Sequence, residues 1–211
     1  MTPPQRVALA ILAGGSARRM GGADKPLLPL GDERPVLAHM LDRLTPWPGP
    51  LVLSANGDPA RFAAYDVPVV ADSVTEADGA SAGPLAGLLA ALEWMAARHA
   101  DVEWLVSVPG DLPFVPADLL ARLWNARERE DAEIAAAASG GRTHHLAALW
   151  PVRLAPALRR AMLDEGLRAV RAWTGRHHVA VADWPTDPID PFLNLNGPDD
   201  LAVARALTAP A

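Results

Sequence analysis

Short apolar segments alternate with longer amphipathic segments along this chain of 211 residues, and no other feature restricts the fold as strongly. Four early segments are brief, rich in Val, Leu and Ala and bounded by turn residues, which is typical of buried strands. They are Val7–Ala13, Leu51–Ala55, Val67–Ala71 and Trp104–Pro109. Helical spacing and composition mark Val36–Leu44, Pro59–Ala64 and Pro84–Arg98 between them. Strands that alternate with helices predict a mostly parallel sheet with helices on both faces.

The second half of the chain continues the same alternation. It contains predicted helices at Ala117–Glu130, Arg153–Asp164 and Leu167–Thr174, predicted strands at Ile134–Ala138, Ala147–Trp150 and His177–Ala182, and a last helix from Pro198 to Leu207. Asn196 is a plausible N-cap for that last helix. No internal repeat or linker interrupts the pattern. We therefore predict one domain over residues 1–211, with a three-layer, Rossmann-like α/β fold.

Composition and charge restrict the kinds of partner that this chain is expected to bind. The net charge is −6 and no dense Lys/Arg tract occurs, which disfavours a nucleic-acid partner. The first apolar run, Val7–Ala13, is too short to cross a bilayer, and no later run is long enough, so no membrane association is expected. The absence of cysteine suits a reducing compartment, and we expect a cytoplasmic protein. Arg18, Arg19 and Lys25 nevertheless gather among glycines, which suggests a small anionic ligand.

The glycine-rich turn that follows the first strand carries the strongest chemical signal. It runs Leu12-Ala13-Gly14-Gly15-Ser16-Ala17-Arg18-Arg19-Met20-Gly21-Gly22-Ala23-Asp24-Lys25. Gly14 and Gly15 lack a Cβ, so a phosphate chain can lie against their main chain, where successive N–H groups bind anions. The turn matches neither a Walker A loop nor a GxGxxG fingerprint. Arg19 and Lys25 indicate nucleotidyl transfer, because that reaction must stabilise charge that grows at phosphorus.

Polar residues follow the later strands of the predicted sheet. Asp111 follows Trp104–Pro109, where its carboxylate can hold Mg²⁺ beside substrate phosphates, or can merely bind local backbone in a turn. Asn56 and Asp72 follow the second and third strands, where they can bind a purine edge or a ribose, or can simply stabilise turns. The Gly83–Gly87 turn opens a helix whose N-terminus favours negative charge.

These motifs together resemble the molybdenum cofactor guanylyltransferases, the MobA family. The segment from Leu12 to Lys25 is similar to that family's LAGGxxxRMGGxDK signature. Further segments match in order: Ser54-Ala55-Asn56, Asp72, Gly83-Pro84-Leu85-Ala86-Gly87, Pro109-Gly110-Asp111-Leu112-Pro113, His144 to Trp150 and Asn194 to Leu201. The resemblance implies a fold like that of the nucleotide-diphospho-sugar transferases. It also implies transfer of GMP from GTP to molybdopterin, with release of pyrophosphate.

The resemblance also implies a role for individual residues. Arg19, Lys25 and Asp111 would be catalytic, and Asp111 would hold Mg²⁺, with Mn²⁺ as the alternative ion. GTP would contact Leu12, Ala13, Gly14, Gly15, Lys25, Asn56, Asp72, Gly83 and Asp111. Molybdopterin would contact Asn194 and Asn196. Proteins of molybdenum-cofactor biosynthesis, or molybdoenzyme chaperones, would be transient partners.

Other functions remain open on the residues alone. The closest are a cytidylyltransferase for molybdopterin and a sugar-phosphate nucleotidyltransferase, which share the chemistry. A GTP-binding protein without turnover is the alternative from another class. His144 and His145 are adjacent, so on a strand they face opposite ways and do not suit one metal ion.

Overall fold

The computed structural model describes residues 2–14 and 24–209. Its centre is a seven-stranded sheet with the strand order β3-β2-β1-β4-β6-β5-β7. The strands are β1 Ala8–Leu12, β2 Leu51–Ser54, β3 Val69–Val70, β4 Trp104–Pro109, β5 Ile134–Ser139, β6 Arg142–Pro151 and β7 Val179–Trp184. The pairs β3–β2, β2–β1, β1–β4 and β5–β7 are parallel. The predicted α/β class with a mostly parallel sheet is confirmed.

Helices cover both faces of this sheet. They are α1 Val36–Leu44, α2 Pro84–Arg98, α3 Leu119–Glu130, α4 Ala155–Asp164, α5 Val170–Thr174 and α6 Pro198–Thr208. One apolar core joins a face of the sheet to α1, α3 and α6, and a second joins the other face to α2, α4 and α5. Alternation along β1 serves both cores, because Leu9 and Ile11 enter the first while Ala8 and Ala10 enter the second. In the described part of the chain, no helix combines the length and apolar character needed to cross a membrane.

The sixth strand departs from the predicted pattern. It is ten residues long instead of the predicted Ala147–Trp150, and it pairs antiparallel with both β4 and β5. A tight turn at Gly140 and Gly141, both with positive φ, reverses the chain between β5 and β6. The β5–β6 register shifts between Ala136 and Ala137, which leaves an irregular stretch around Leu146. Such irregularities often lie beside functional sites.

Several smaller predictions were wrong about element type or bounds. Pro59–Tyr65 is a 3₁₀ helix instead of an α-helix, and β3 is two residues long because its edge position gives it one partner strand. The strand predicted at His177–Ala182 begins and ends two residues later, as β7. Short 3₁₀ helices also form at Lys25–Leu27 and Val152–Leu154.

Candidate active site

The carboxyl ends of the parallel strands meet at one pocket. Strands β1, β2 and β4 run side by side in the same direction, so Gly14, Ser54 and Asp111 come to the same edge of the sheet. The residues that line the pocket are Leu12, Ala13, Gly14, Lys25, Pro26, Ser54, Gly83, Pro84, Gly87, Pro109, Gly110, Asp111 and Leu146. The first strand's turn therefore begins and ends at this pocket, as expected for a ligand at the carboxyl edge of such a sheet.

Lys25 and Asp111 form the ionic centre of the pocket. The Lys25 Nζ donates a hydrogen bond to the Asp111 Oδ2 over 2.8 Å, and each side chain is 17% exposed. Lys25 is held there by the 3₁₀ helix that starts with it, and Asp111 by the Gly110 N–H, which donates to the Leu12 carbonyl oxygen over 2.9 Å. The carboxylate thus binds a pocket lysine across the chain, which differs from the turn or cap role that its sequence also allowed.

The Asp111 carboxylate suits a magnesium-type ion by its donor chemistry. Mg²⁺ takes oxygen ligands and typically uses one or two carboxylates beside waters and substrate phosphates. An ionised carboxylate has about four acceptor positions, and the lysine occupies one of them. Within residues 2–14 and 24–209, no group of three or more His, Cys, Asp or Glu side chains is placed to hold a metal ion. A metal here would therefore take its other ligands mainly from substrate phosphates and water.

Asn56 and Asp72 form a rigid polar pair after β2 and β3. The Asn56 Nδ2 donates to Asp72 Oδ2 over 2.7 Å, and the Asp72 N–H donates back to Asn56 Oδ1 over 2.9 Å. The Ser81 hydroxyl also donates to Asp72 Oδ2, over 2.6 Å. Adjacent strands bring the two side chains together, as the sequence order predicted, and the mutual bonds hold both in one orientation.

Two glycines shape the pocket wall where α2 begins. Gly83 has a φ of +88°, a conformation that L side chains rarely adopt, and it precedes Pro84 in the first turn of the helix. A Cβ on Gly87 would lie 2.9 Å from the Ser54 Oγ, so this position brings the helix unusually close to β2. The Ser54 Oγ is buried and has no hydrogen-bond partner among the residues that the structure describes.

The Asn194–Asn196 segment is hydrogen-bonded to Asp111, one of the two residues of the ionic centre. The Leu195 N–H donates to the main-chain oxygen of Asp111 over 3.2 Å, and the Leu195 side chain is fully buried. Asn194 and Asn196 line a second, shallow pocket with Arg142, His144, Phe192 and others. The segment is bent, because the Asn196 N–H donates to the Asn194 carbonyl oxygen over 3.0 Å.

Asn196 is not the N-cap of the last helix, contrary to the prediction. Gly197 occupies that position, and the N–H groups of Asn196 and Gly197 both donate to the Asp200 carboxylate, over 2.9 and 3.0 Å. The Asp200 side chain thus reaches back to the start of its own helix. Asn196 is exposed and is among the residues that line the shallow pocket.

His144 and His145 have separate partners. The His144 Nε2 lies 2.8 Å from the Ser139 Oγ and its ring stacks on Phe192, with 4.7 Å between ring centroids. The His145 Nδ1 lies 3.0 Å from the Thr174 Oγ1. Burial lowers the pKa of both imidazoles, which favours their neutral forms. The expectation that the two rings do not share one ion agrees with these partners.

Half of the twelve residues that the sequence assigned to the site line the main pocket, whereas Asn56 and Asp72 are not part of its lining and Asn194 and Asn196 line a separate pocket. Leu12, Ala13, Gly14, Lys25, Gly83 and Asp111 line the main pocket. Gly15, Arg18 and Arg19 lie outside the described residues. Leu146, inside the His144 to Trp150 segment and beside the register irregularity, also lines the pocket but was not predicted to be a site residue. Ser54 belongs to the Ser-Ala-Asn motif but was not predicted to be a site residue.

Comparison with known proteins shows the family to which this chain belongs. A family model described as a MobA-like NTP transferase domain matches residues 9–181. A molybdenum cofactor guanylyltransferase of Rhodopseudomonas palustris (strain HaA2) is 52% identical over 207 residues, which cover 98% of this chain and 94% of that relative.

Two crystal structures share the fold. The molybdopterin-guanine dinucleotide biosynthesis protein A of Archaeoglobus fulgidus has a TM-score of 0.72 at 23% identity, covering 95% of this chain and 98% of its own. A Mycobacterium tuberculosis protein solved in complex with manganese has a TM-score of 0.64 at 21% identity, with the same coverage of 95% and 98%. Since the family model spans most of the chain and the Rhodopseudomonas relative is about half identical over nearly its whole length, this chain belongs to the MobA-like NTP transferase family, among the molybdenum cofactor guanylyltransferases.

Proposed function

We propose that this enzyme transfers GMP from GTP to molybdopterin, releases pyrophosphate and forms the molybdopterin guanine dinucleotide. The observation that carries the proposal is the Lys25–Asp111 pair, which lies across a pocket bounded by the main chain of Leu12 to Gly14. A cation and a carboxylate at the ends of parallel strands suit a triphosphate and its divalent ion. Family membership selects the nucleotide and the acceptor.

The reaction needs no nucleophile from the protein. An oxygen of the terminal phosphate of molybdopterin, already ionised near neutral pH, attacks the α-phosphorus of GTP. A new P–O bond forms, the bond from the α-phosphorus to the bridging oxygen of the β-phosphate breaks, and the electron pair leaves with pyrophosphate. Positioning and electrostatic stabilisation therefore supply most of the acceleration.

Lys25 and Asp111 are proposed to have different electrostatic roles in this reaction. Lys25 stabilises negative charge on the phosphates from the end of the glycine-rich turn, and Arg19, in the same turn, is proposed to act with it. Asp111 would hold Mg²⁺, and Mn²⁺ is the alternative ion. The bound ion would neutralise phosphate charge and favour the departure of pyrophosphate.

The Asn56–Asp72 pair is proposed to bind the nucleoside of GTP. Guanine carries N–H donors that suit a carboxylate acceptor, and the three hydrogen bonds between Asn56, Asp72 and Ser81 hold that carboxylate in place. An acceptor that is already oriented loses little entropy when it binds. The Gly83–Gly87 turn closes the pocket on the α2 side.

Asn194 and Asn196 are proposed to bind the pterin of the acceptor. Their segment is hydrogen-bonded to the main chain of Asp111 through Leu195, so the acceptor pocket adjoins the place where the α-phosphorus reacts. Amide groups offer both donors and acceptors, which suits the polar edge of a pterin.

Four further expectations remain predictions. They are a cytoplasmic location, a single domain over the chain, the lack of nucleic-acid and membrane partners, and transient contacts with cofactor-biosynthesis proteins.

One assay tests the proposed reaction. The protein is incubated with Mg²⁺, molybdopterin and one nucleotide, either GTP or CTP; pyrophosphate is measured and the product is identified by mass. We expect a guanine dinucleotide, formed only when GTP, acceptor and divalent ion are all present. A cytosine dinucleotide as the main product, turnover with a sugar phosphate in place of molybdopterin, or GTP binding without pyrophosphate would contradict the proposal.

A further inference from the structure

Arg61 lies outside the main pocket and joins Asp24, the neighbour of the pocket residue Lys25, to Asn56. Its Nε donates to the Asp24 Oδ2 over 2.5 Å, and its Nη2 donates to the main-chain oxygen of Asn56 over 2.7 Å. Its Nη1 donates to the main-chain oxygen of Asp58, also over 2.7 Å. The guanidinium carbon lies 4.6 Å from the ring centroid of the buried Phe62. Three acceptors and an aromatic face hold this side chain in one place.

Of the acceptors on either side of Arg61, Asn56 belongs to the proposed GTP site and Asp24 adjoins it. Asp24 directly precedes Lys25, and its carbonyl accepts from the Leu27 N–H over 2.9 Å to start the 3₁₀ helix that carries the lysine. Asn56 is the partner of Asp72 in the proposed nucleoside site. The guanidinium thus ties the end of the glycine-rich turn to the exit of β2.

Charge gives Arg61 a second effect on the same site. The Asp24 carboxylate is 28% exposed and one residue from Lys25, so it adds negative charge beside the proposed triphosphate. The Arg61 guanidinium, 26% exposed, compensates that charge with a direct hydrogen bond. Without the arginine, an unpaired carboxylate would repel the phosphates at short range, where solvent screening is weakest.

We propose that Arg61 is a positioning residue for GTP, which keeps Asp24 neutralised and holds the Lys25 end of the turn against Asn56. This inference rests on the proposed function, because it assigns the triphosphate to that end of the pocket. It concerns the nucleotide alone: the segment of Asn194 and Asn196 is attached to Asp111 and has no bond to Arg61 among the described residues.

Four variants and calorimetric GTP binding, measured without acceptor, test the inference. Arg61→Ala should weaken GTP binding about tenfold, or about 1.4 kcal/mol, because the unpaired Asp24 carboxylate repels the phosphates and the Lys25 end of the turn loses its bond to Asn56. Arg61→Lys should recover part of the loss because it restores the charge. Adding Asp24→Asn to Arg61→Ala should also recover affinity, because it removes the bare carboxylate. In steady state, the KM for GTP should rise with Arg61→Ala while the KM for molybdopterin stays within about twofold.

A matched control separates this role from general destabilisation. Arg176 makes a two-point pair with Glu165, at 2.7 and 3.2 Å, away from the pocket, so Arg176→Ala should leave GTP binding unchanged. An Arg61→Ala protein that binds GTP within twofold of the parent, or an equal loss in Arg176→Ala, would overturn the inference. A double variant that binds GTP no better than Arg61→Ala would show that repulsion by the unpaired Asp24 carboxylate does not cause the loss of affinity. A parent protein that binds GTP but forms no dinucleotide would refute the proposed function and leave this inference standing.

Discussion

Replacing Asp111 by asparagine is expected to lower turnover about a hundredfold while the fold stays intact. Asparagine has almost the same volume as aspartate, and its side-chain oxygen can still accept the Lys25 Nζ hydrogen bond that measures 2.8 Å here. It removes the negative charge, which is the property that a divalent ion requires of its ligand. The substitution therefore separates the electrostatic role of the carboxylate from its packing.

The geometry determines both the expected loss of stability and the expected loss of turnover in this variant. At 2.8 Å the attraction between Lys25 and Asp111 is about 6 kcal/mol for an effective dielectric constant near 20. Asparagine keeps a hydrogen bond but leaves Lys25 without a counter-charge at a largely buried position, so the stability lost is about 2 kcal/mol, or about 6 °C in Tm. One preorganised electrostatic group contributes about 2.7 kcal/mol or more to lowering a reaction barrier, which is a hundredfold in rate.

Pyrophosphate release over a range of Mg²⁺ concentrations measures the effect. We expect the Asp111→Asn protein to need more Mg²⁺ for half-maximal rate and to remain slow at saturation. Asp42→Asn is the control, because Asp42 forms a 2.6 Å ion pair with Arg34 on the exposed surface, and it should turn over normally. Near-normal turnover of Asp111→Asn at the same Mg²⁺ concentration would refute the assignment of the metal to this carboxylate.

Two further predictions concern the shallow pocket. Asn194→Ala should raise the KM for molybdopterin about tenfold through the loss of amide hydrogen bonds, and an equal rise in the KM for GTP would contradict its place in the acceptor site. Burial lowers the pKa of His144 below the ordinary histidine value of 6.5, so the unfolded chain takes up a proton first as the pH falls. The free energy of unfolding should then decrease as the pH falls below 6.5 and be unaffected by this group above it. Urea titrations should show a smaller decrease in His144→Gln, and an identical pH dependence would show that the ring does not contribute.

Local pattern in the chain was enough to predict the site's main components. The apolar run of β1, the glycines that follow it and the Pro84 that opens α2 each have a local cause in side-chain shape or backbone freedom. Parallel strands separated by helices then placed Asp111 at the same edge as Lys25. The pairing of those two side chains follows from that topology, and the 2.8 Å contact agrees with it.

Contacts between distant parts of the chain could not be predicted from local sequence pattern. The direction of β6 does not follow from its apolar residues, because alternation has the same period in parallel and antiparallel strands. The bond from Leu195 to Asp111 and the bond from Arg61 to Asp24 join residues 84 and 37 positions apart. Their partners are chosen by how the helices pack on the sheet. Thus the residue types predicted the chemistry of the pocket. Tertiary packing determined which other side chains support the pocket residues from outside.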